Sequence, residues 1–402
     1  MAERVVNLLK DLVSINSVNP AYPGGVGEAA IADYVDRYCR DMELTVSRQD
    51  VAPGRQNILA MLPVPGARHT LLYEAHMDTV ALDPMGEAGI QPVLRHGRLY
   101  GRGACDTKGS LASMLVAIEH LRERTAELAC NVAILAAVDE EHAFTGILAF
   151  IDSDVPVAAA VVGEPTELRI VIAHKGCIRG SIHVYGRAAH SAEPDRGVNA
   201  IDGMADVLAG LRPLQFKATA PTHPLLGDST FSVGLIEGGT GVNIVPDRCS
   251  ITYDRRTLPG ETPEQVLDEL DATLNAVRAM RPDITIDRPD PALISESLDT
   301  ESDSELVRVA AASCRDAALD TTPVGVPYGT DASTLQHRRG IPEIVLGPGA
   351  ISRAHSADEF VPVDQQGHRT LCGHRPGVSG KVTGRHEDQR AHLSGREWPD
   401  GV

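Results

Sequence analysis

An alternation constrains this chain more than any other feature. Up to about residue 175, the apolar runs NILAML, HTLLYEAH, NVAILAAVDEE and AAAVVGEP are separated by helix-patterned stretches such as SLASMLVAIEHLRER. Strand-length runs that are apolar almost throughout need cover on both faces, and intervening helices supply it, so the pattern specifies an α/β sheet. Three of the runs close on His76, on Glu140 and Glu141, and on Glu164. Period-two alternation places His76 and Asp78 on one side of their strand and Met77 on the other. An Asp so placed can accept the second N–H of a metal-bound imidazole and fix its tautomer. The plainer reading is a solvated Asp at a strand end.

From about residue 176 the texture changes. CIRGSIHVYG, a helix near Val198 to Leu211, STFSVGLIEGG, RCSITYDRR, a helix from Pro263 and ITIDRP follow in turn. That order is β-α-β-β-α-β, the plan of a small ferredoxin-like domain with one open sheet face. Its second helix is announced by a capping box, with Thr262 at N-cap, Pro263 at N1 and Gln265 at N3, and by apolar Val266, Leu270 and Leu274. ESDSELVRVAAASCRDAAL reads as a further helix, capped by Ser302 or Asp303, that returns to the first domain and makes the small one an insertion. The expected boundaries are 1–175 and 291–364 for the two parts of the larger domain, 176–290 for the insertion, and 365–402 for a disordered or loosely packed tail. A chain of 402 residues ordinarily splits into two or three domains.

Composition narrows the function classes. With 55 acidic against 37 basic residues the net charge is -18, which repels nucleic acid and anionic membrane, and no basic patch occurs before residue 365. Val5, Leu8, Leu9, Leu12 and Val13 mark one helix face, interrupted by Lys10 and Asp11, rather than a signal-peptide core. No segment approaches a transmembrane span. Seven cysteines without a CxxC pair argue against a disulfide framework and for a reducing compartment, so a cytoplasmic location is expected.

Five segments carry potential metal ligands: His76 with Asp78, Asp106 in GRGACDTKGS, Glu140 and Glu141 in VDEEHAF, Glu164 in VVGEPTE, and His355 in GPGAISRAHSADEF. Each alone has an ordinary explanation as a turn or strand-end residue. Ligands in open α/β sheets, however, gather outside the carboxyl ends of the strands, where all five segments fall. Two histidines and three carboxylates suit two divalent ions, and imidazole with carboxylate favours Zn²⁺ over Mg²⁺. Two ions about 3.5–4 Å apart require a bridging carboxylate.

EAHMDTV, GRGACDTKGS, DEEHAFTG, GEPT, HKG, GRAAHSAEPDRGVNAI, GGTGVNIVP, YDRRTLPGE and AHSADEF together resemble the dinuclear-zinc M20 metallopeptidase family, collinearly to about residue 364. That family includes acetylornithine deacetylase, succinyl-diaminopimelate desuccinylase, aminoacylase and the glutamate-releasing carboxypeptidases. The resemblance implies an α/β, zinc-peptidase-like catalytic domain with a mixed central sheet flanked by helices, the ferredoxin-like domain serving as lid and dimerisation surface. It implies that His76 binds one metal and His355 the other, with Asp106 bridging, Glu164 completing the first site and Glu141 the second. Glu140 is then the general base, and the cofactor is two divalent ions, Zn²⁺ first, with Co²⁺ or Mn²⁺ able to take similar sites.

By the same resemblance His190 reaches a neighbouring subunit's site and polarises the substrate carbonyl, although a lone loop histidine is otherwise simply solvated. Asn243, Arg256, and Gly329, Thr330 and Asp331 in YGTDAS are candidate substrate contacts. Arg256 shares a strand face with Thr252 and Asp254, opposite Cys249, Ile251 and Tyr253. Its guanidinium can clamp a substrate carboxylate, and a structural salt bridge to Asp254 or Glu261 is the competing reading. The implied reaction is hydrolysis of an N-acyl amino acid of the acetylornithine deacetylase kind, Glu140 taking a proton from metal-activated water and returning it to the leaving amine. A dipeptidase or glutamate-releasing carboxypeptidase uses the same chemistry. A catalytically impaired metal-binding protein with a defective C-terminus is a reading of another class. The expected partners are a small-molecule substrate and a second copy of the chain docked through the insertion, with no nucleic acid and no membrane.

Overall fold

The computed structural model describes residues 2–216 and 222–365, so the expected tail lies, apart from Gln365, outside the described residues. Strands Thr45–Ala52, Arg55–Leu62, Asn131–Ala137, Thr70–His76, Val157–Val162, Glu343–Val345, Val171–His174 and Leu298–Asp299 lie side by side in that order, and Val324–Val326 pairs off this row with Val171–His174. The four that end at Ala137, His76, Val162 and Val345 are mutually parallel, and antiparallel strands flank them on either side. The central sheet is therefore mixed, and four adjacent carboxyl ends open onto one edge.

Helices Ala2–Ser14, Ala29–Asp41, Lys108–Arg122 and Glu305–Asp316 share an apolar cluster with one face of this sheet, while Thr145–Ile151 and Ala332–Arg339 contribute to a cluster on the other. The first helix buries Val5, Leu8, Leu9, Leu12 and Val13, the face that its spacing predicts, together with Val6. Lys108–Arg122 is buried without a break from Lys108 to Ile118, the signature of a core helix. Its small residues allow a close approach to the sheet. One tight point is Gly163, where a Cβ would stand 2.6 Å from Ser110 Cβ and 2.9 Å from Met114 Cε. A glycine immediately before Glu164 is thus a packing requirement.

A second sheet has the order Thr230–Gly238, Arg248–Thr257, Gly176–Tyr185, Thr285–Asp287, all antiparallel, with Leu293–Ser295 also paired to Gly176–Tyr185. Helices Ala200–Phe216 and Pro263–Met280 cover one face, burying Ile178, Ile182, Val184, Cys249, Ile251 and Tyr253. The capping box is present: Thr262 Oγ1 accepts the Gln265 N–H at 3.3 Å and Gln265 Oε1 accepts the Thr262 N–H at 3.2 Å.

Two helix limits depart from the sequence expectation. Ala200–Phe216 continues past Leu211 with Pro213 inside it. Leu208, Leu211 and Leu214 keep packing on the same apolar cluster, which offsets the hydrogen bond that proline removes. Helix Glu305–Asp316 is capped by Ser304 instead of Ser302 or Asp303, its Oγ accepting the Val307 N–H at 3.4 Å. The cause is a turn closed by the Ser304 N–H on the Glu301 carbonyl at 3.0 Å, which leaves Ser304 alone at cap distance from the first helical turn. Cys39, Cys105, Cys130, Cys177, Cys249 and Cys314 are free thiols. Among the described residues no helix is long and apolar enough to cross a membrane.

The Gly163 contact is directly testable. Gly163→Ala is expected to lower stability by about 1–3 kcal/mol in denaturant unfolding, because neither Ser110 nor Met114 has room to yield. It is also expected to weaken metal retention in equilibrium dialysis, because Glu164 moves with the strand end.

Candidate metal centre

The parallel strand ends bring the predicted ligands together. His76 closes Thr70–His76, Glu140 and Glu141 follow Asn131–Ala137, Glu164 follows Val157–Val162, and Asp106 precedes the buried helix Lys108–Arg122. His76 Nε2 lies 3.2 Å from Asp106 Oδ1, 3.8 Å from Glu164 Oε1 and 3.9 Å from Glu140 Oε2. On the other side, His355 Nε2 lies 3.3 Å from Asp106 Oδ2 and 3.1 Å from Glu141 Oε1. Asp106 thus turns one oxygen to each histidine. Potential ligand atoms of His76, Glu140 and Glu164 fall within 4.8 Å of one another, and so do those of His76, Asp106 and Glu141.

Burial makes this cluster electrostatically demanding. His76 and Asp78 are almost fully buried, and Asp106 and Glu164 nearly so. Burial first, and neighbouring negative charge after it, pushes the carboxyls of Glu140 and Glu164 well above the usual carboxylate range. Burial also opposes ionisation of Asp106, but its hydrogen bonds with His355 and His76 outweigh that and hold it low. The donor set therefore has more negative charge than its two imidazoles can balance, and its nitrogen and carboxylate atoms are those that bind borderline divalent cations.

Asp78 does more than the strand pattern indicated. His76 Nδ1 stands 3.0 Å from the main-chain carbonyl of Asp78 and 3.5 Å from its carboxylate, so Nδ1–H donates to Asp78 and Nε2 is left for a ligand role. The Asp78 carboxylate also accepts the backbone N–H groups of Glu140 and Glu141, each at 3.2 Å, and the Asn19 amide at 2.7 Å. Asn19 donates as well to Asp139 at 2.8 Å, and Arg55 pairs with Asp139 at 2.9 Å. Asp139 has φ +70°, a conformation that costs a non-glycine residue energy and that these contacts sustain. Between them they aim Glu140 at His76 and Glu141 at His355. Tyr22 completes the clasp, its hydroxyl donating to the Glu141 carbonyl at 2.9 Å.

Glu359 was not singled out in the sequence, although it lies four residues beyond His355 in the same motif. Its Oε1 accepts the N–H groups of Cys105 and Asp106 at 3.0 and 3.2 Å, and its Oε2 pairs with Arg102 at 2.6 Å, both side chains being at most 2% exposed. Arg102 also donates to the Ala81 carbonyl at 2.9 Å. This buried pair ties the His355 segment to the loop that carries Asp106. Glu74 and Glu343, which were not singled out in the sequence, are fully buried, as is the Asp331 of YGTDAS, and no Lys or Arg is paired to the three among the described residues.

Among the described residues, no hydrogen bond or ion pair joins the remaining predicted residues to the cluster. His190 is exposed and pairs in register with Ile244, beside Asn243, whose carbonyl accepts the Ser191 N–H at 3.0 Å. The two are neighbours, and no hydrogen bond or ion pair joins either to the cluster among the described residues. Arg256 is held by Asp254 at 2.7 Å, and Glu261 pairs with Arg255, also at 2.7 Å. Thr330 is buried, its hydroxyl accepting the Ala332 N–H at 3.2 Å, and a Cβ at Gly329 would stand 3.4 Å from the Lys175 carbonyl.

Two outcomes follow from these contacts. Glu359→Gln is expected to cost about 3–5 kcal/mol in unfolding, since it leaves Arg102 buried and unpaired, and to lower metal content through a loosened Asp106 loop. Burial, with the charges of Glu74 and Asp331 adding to it, holds the Glu343 carboxyl well above its ordinary value. The folded state therefore binds the proton more tightly than the unfolded one, and this contribution to stability fades as pH rises above the ordinary Glu range. Glu343→Gln should accordingly raise Tm at pH 8, by about 2–4 °C for each kcal/mol of strain removed, and raise it less at pH 5.

The profile of peptidase family M20/M25/M40 matches residues 72–370. The chain is 31% identical over 359 residues to an acetylornithine deacetylase of Aliivibrio fischeri (strain MJ11), which covers 87% of this chain and 90% of that relative. In fold it is similar to a tripeptidase from Staphylococcus aureus subsp. aureus mu50, with TM-score 0.76, 20% identity and coverage of 93% and 96% of the two chains. It is also similar to a dinuclear metal binding peptidase of the M20 family from Bacillus subtilis, with TM-score 0.69, 16% identity and coverage of 92% and 97%. The chain belongs to peptidase family M20/M25/M40 and is a hydrolase of amide or peptide bonds.

Proposed function

We propose that the protein removes the acyl group from N-acyl amino acids, as its acetylornithine deacetylase relatives are named for doing, with two divalent ions, Zn²⁺ first, as cofactor. The observation that carries this reading is Asp106, which presents Oδ1 to His76 at 3.2 Å and Oδ2 to His355 at 3.3 Å. One carboxylate shared between two imidazoles fits a bridging ligand. Glu164 would complete the site at His76, and Glu141 the site at His355. When bound, such ions supply the positive charge that acidifies a water molecule and polarises an amide carbonyl.

Glu140 would do the proton work. It is partly buried beside His76 without being needed as a ligand, and its raised affinity for protons suits a base that takes a proton from the attacking water and passes it to the leaving nitrogen. Asp78 would fix the His76 tautomer and hold the Glu140 turn through the backbone bonds described above. Residues 176–290 would act as a lid on the catalytic body formed by 1–175 and 291–364. The exposure of His190, and the lack of a bond from it to the cluster among the described residues, support a homodimer in which His190 and Asn243 complete the partner's site. The absence of a membrane-length helix among the described residues and the six free thiols support a cytoplasmic location.

The test is metal content per chain together with hydrolysis of N-acetylornithine, N-acetylmethionine, N-succinyl-diaminopimelate and a dipeptide ending in glutamate. Wild type and Glu140→Gln should both retain close to two ions, with kcat for the preferred substrate lower by about 10²–10⁴ in the variant. Chelation should abolish turnover and added Zn²⁺ restore it. Folded protein that binds no metal would end this reading.

A further inference from the structure

The two sheets are joined by two chain crossings that run side by side. Lys175 is the single residue between Val171–His174, in the main sheet, and Gly176–Tyr185, in the smaller one. The chain returns through Glu296 and Ser297, between Leu293–Ser295 and Leu298–Asp299. Ser295 pairs with Cys177 on one side of the crossing, and Leu298 with His174 on the other. Connections this short concentrate any change of angle between the sheets in a few element-terminal residues, which makes Lys175 and its neighbours the hinge.

A third link spans the same hinge without a chain crossing. Residues 222–228 belong to the insertion, between Ala200–Phe216 and Thr230–Gly238. They fold back on themselves, the His223 N–H on the Gly227 carbonyl at 3.0 Å and the Gly227 N–H on the His223 carbonyl at 2.9 Å. This loop rests on the edge of the main sheet. A Cβ built on Gly325 would stand 2.7 Å from Leu226 Cδ2 and 2.8 Å from Leu225 Cβ, so the glycine inside Val324–Val326 is what admits the loop. His223 Nε2 lies 3.6 Å from Asp299 Oδ1. The Lys175 ammonium, buried at the hinge, donates to the Asp228 carbonyl and makes no ion pair among the described residues. An ammonium is expensive to bury, and here its hydrogen bond ties the hinge to the loop.

The strand under the loop, Val324–Val326, leads within two residues into Gly329 and Thr330 of YGTDAS. A Cβ at Gly329 would stand 3.4 Å from the Lys175 carbonyl and 3.4 Å from Ser295 Oγ, so this segment passes the hinge in contact with both connections. The Tyr328 hydroxyl donates to the Pro165 carbonyl at 3.3 Å, one residue past the candidate ligand Glu164. Loop, hinge and candidate substrate segment thus form one contiguous set of contacts. We propose that Lys175 is a positioning residue: by tying the 222–228 loop across the hinge, it fixes the angle of the insertion over the catalytic body and holds YGTDAS in place for substrate. Without the tether the competent angle becomes one of several, and the apparent affinity for substrate falls with the fraction of molecules that keep it. The proposal rests on the lid reading of residues 176–290, and on the deacylase reading for the substrate.

The experiment compares wild type with Lys175→Met, Lys175→Arg and Leu226→Ala, all metal-loaded, by backbone hydrogen exchange and by steady-state kinetics on N-acetylornithine. Lys175→Met should speed exchange across 222–228 and 324–330 by about 10- to 100-fold, the loss of one hydrogen bond from a charged donor, with 70–79 and 131–141 left at the wild-type rate. KM should rise by about 10-fold or more, with kcat and metal content kept. Lys175→Arg, which keeps a charged donor, should recover most of this loss. Leu226→Ala loosens the loop from its other end and should move the same two segments in the same direction, and it carries the test if Lys175→Met does not fold. Unchanged exchange in those segments, or a fall in kcat and Tm with KM unmoved, would overturn the brace. If wild type does not hydrolyse N-acetylornithine, the deacylase reading fails by itself, and exchange alone decides the brace. Faster exchange confined to the two segments supports it, and superimposable curves reject it.

Discussion

The organising constraint is an excess of buried negative charge at the ends of four parallel strands. Asp78, Asp106, Glu140, Glu141 and Glu164 gather there with only His76 and His355 to oppose them. In a medium of low dielectric such groups either keep protons or require cations, and the opposite displacements of Asp106 and Glu164 show both tendencies at once. Bound divalent ions would remove the conflict. Much of the surrounding structure serves to keep repelling groups in place until they do.

That service is mostly rendered by backbone hydrogen bonds to carboxylates. Asp78 gathers the Glu140–Glu141 turn, Glu359 gathers the Cys105–Asp106 loop, and Asn19 joins Asp78 to Asp139. Each uses a charged acceptor on neutral N–H donors, a strong interaction when dry. The supporting residues come from distant parts of the chain, Asn19 from the loop after the first helix and Glu359 from near the end of the described residues. The metal centre is therefore coupled to the global fold.

The site ligands were legible in the sequence because each stands at the end of a strand-length apolar run or in a motif with a recognisable order. His76, Glu164 and the Glu140–Glu141 pair needed only strand periodicity and the rule that ligands gather at carboxyl ends of parallel strands. Asp106 and His355 lie in loops, where the same rule grouped them with the others, and only the resemblance gave each its role. Glu359 and Asn19 were missed for a physical reason: one accepts backbone N–H groups and the other donates its amide to two buried carboxylates, and neither kind of contact leaves a periodic trace. Glu74 and Glu343 were missed because acidic residues in strands read as solvent-facing unless burial is known.

By itself the sequence determined the α/β alternation, the β-α-β-β-α-β order of the smaller sheet, the capping box at Thr262 and the types of candidate ligand, since all of these are local properties of period, capping and side-chain chemistry. The tertiary structure alone decided which strands are parallel neighbours, and hence that five segments spread over some 280 residues meet within a few ångströms. It alone decided that Arg256 is paired to Asp254. Strand pairing and cross-strand partners depend on which long-range contacts bury the most apolar surface together, and no window of the sequence contains that sum.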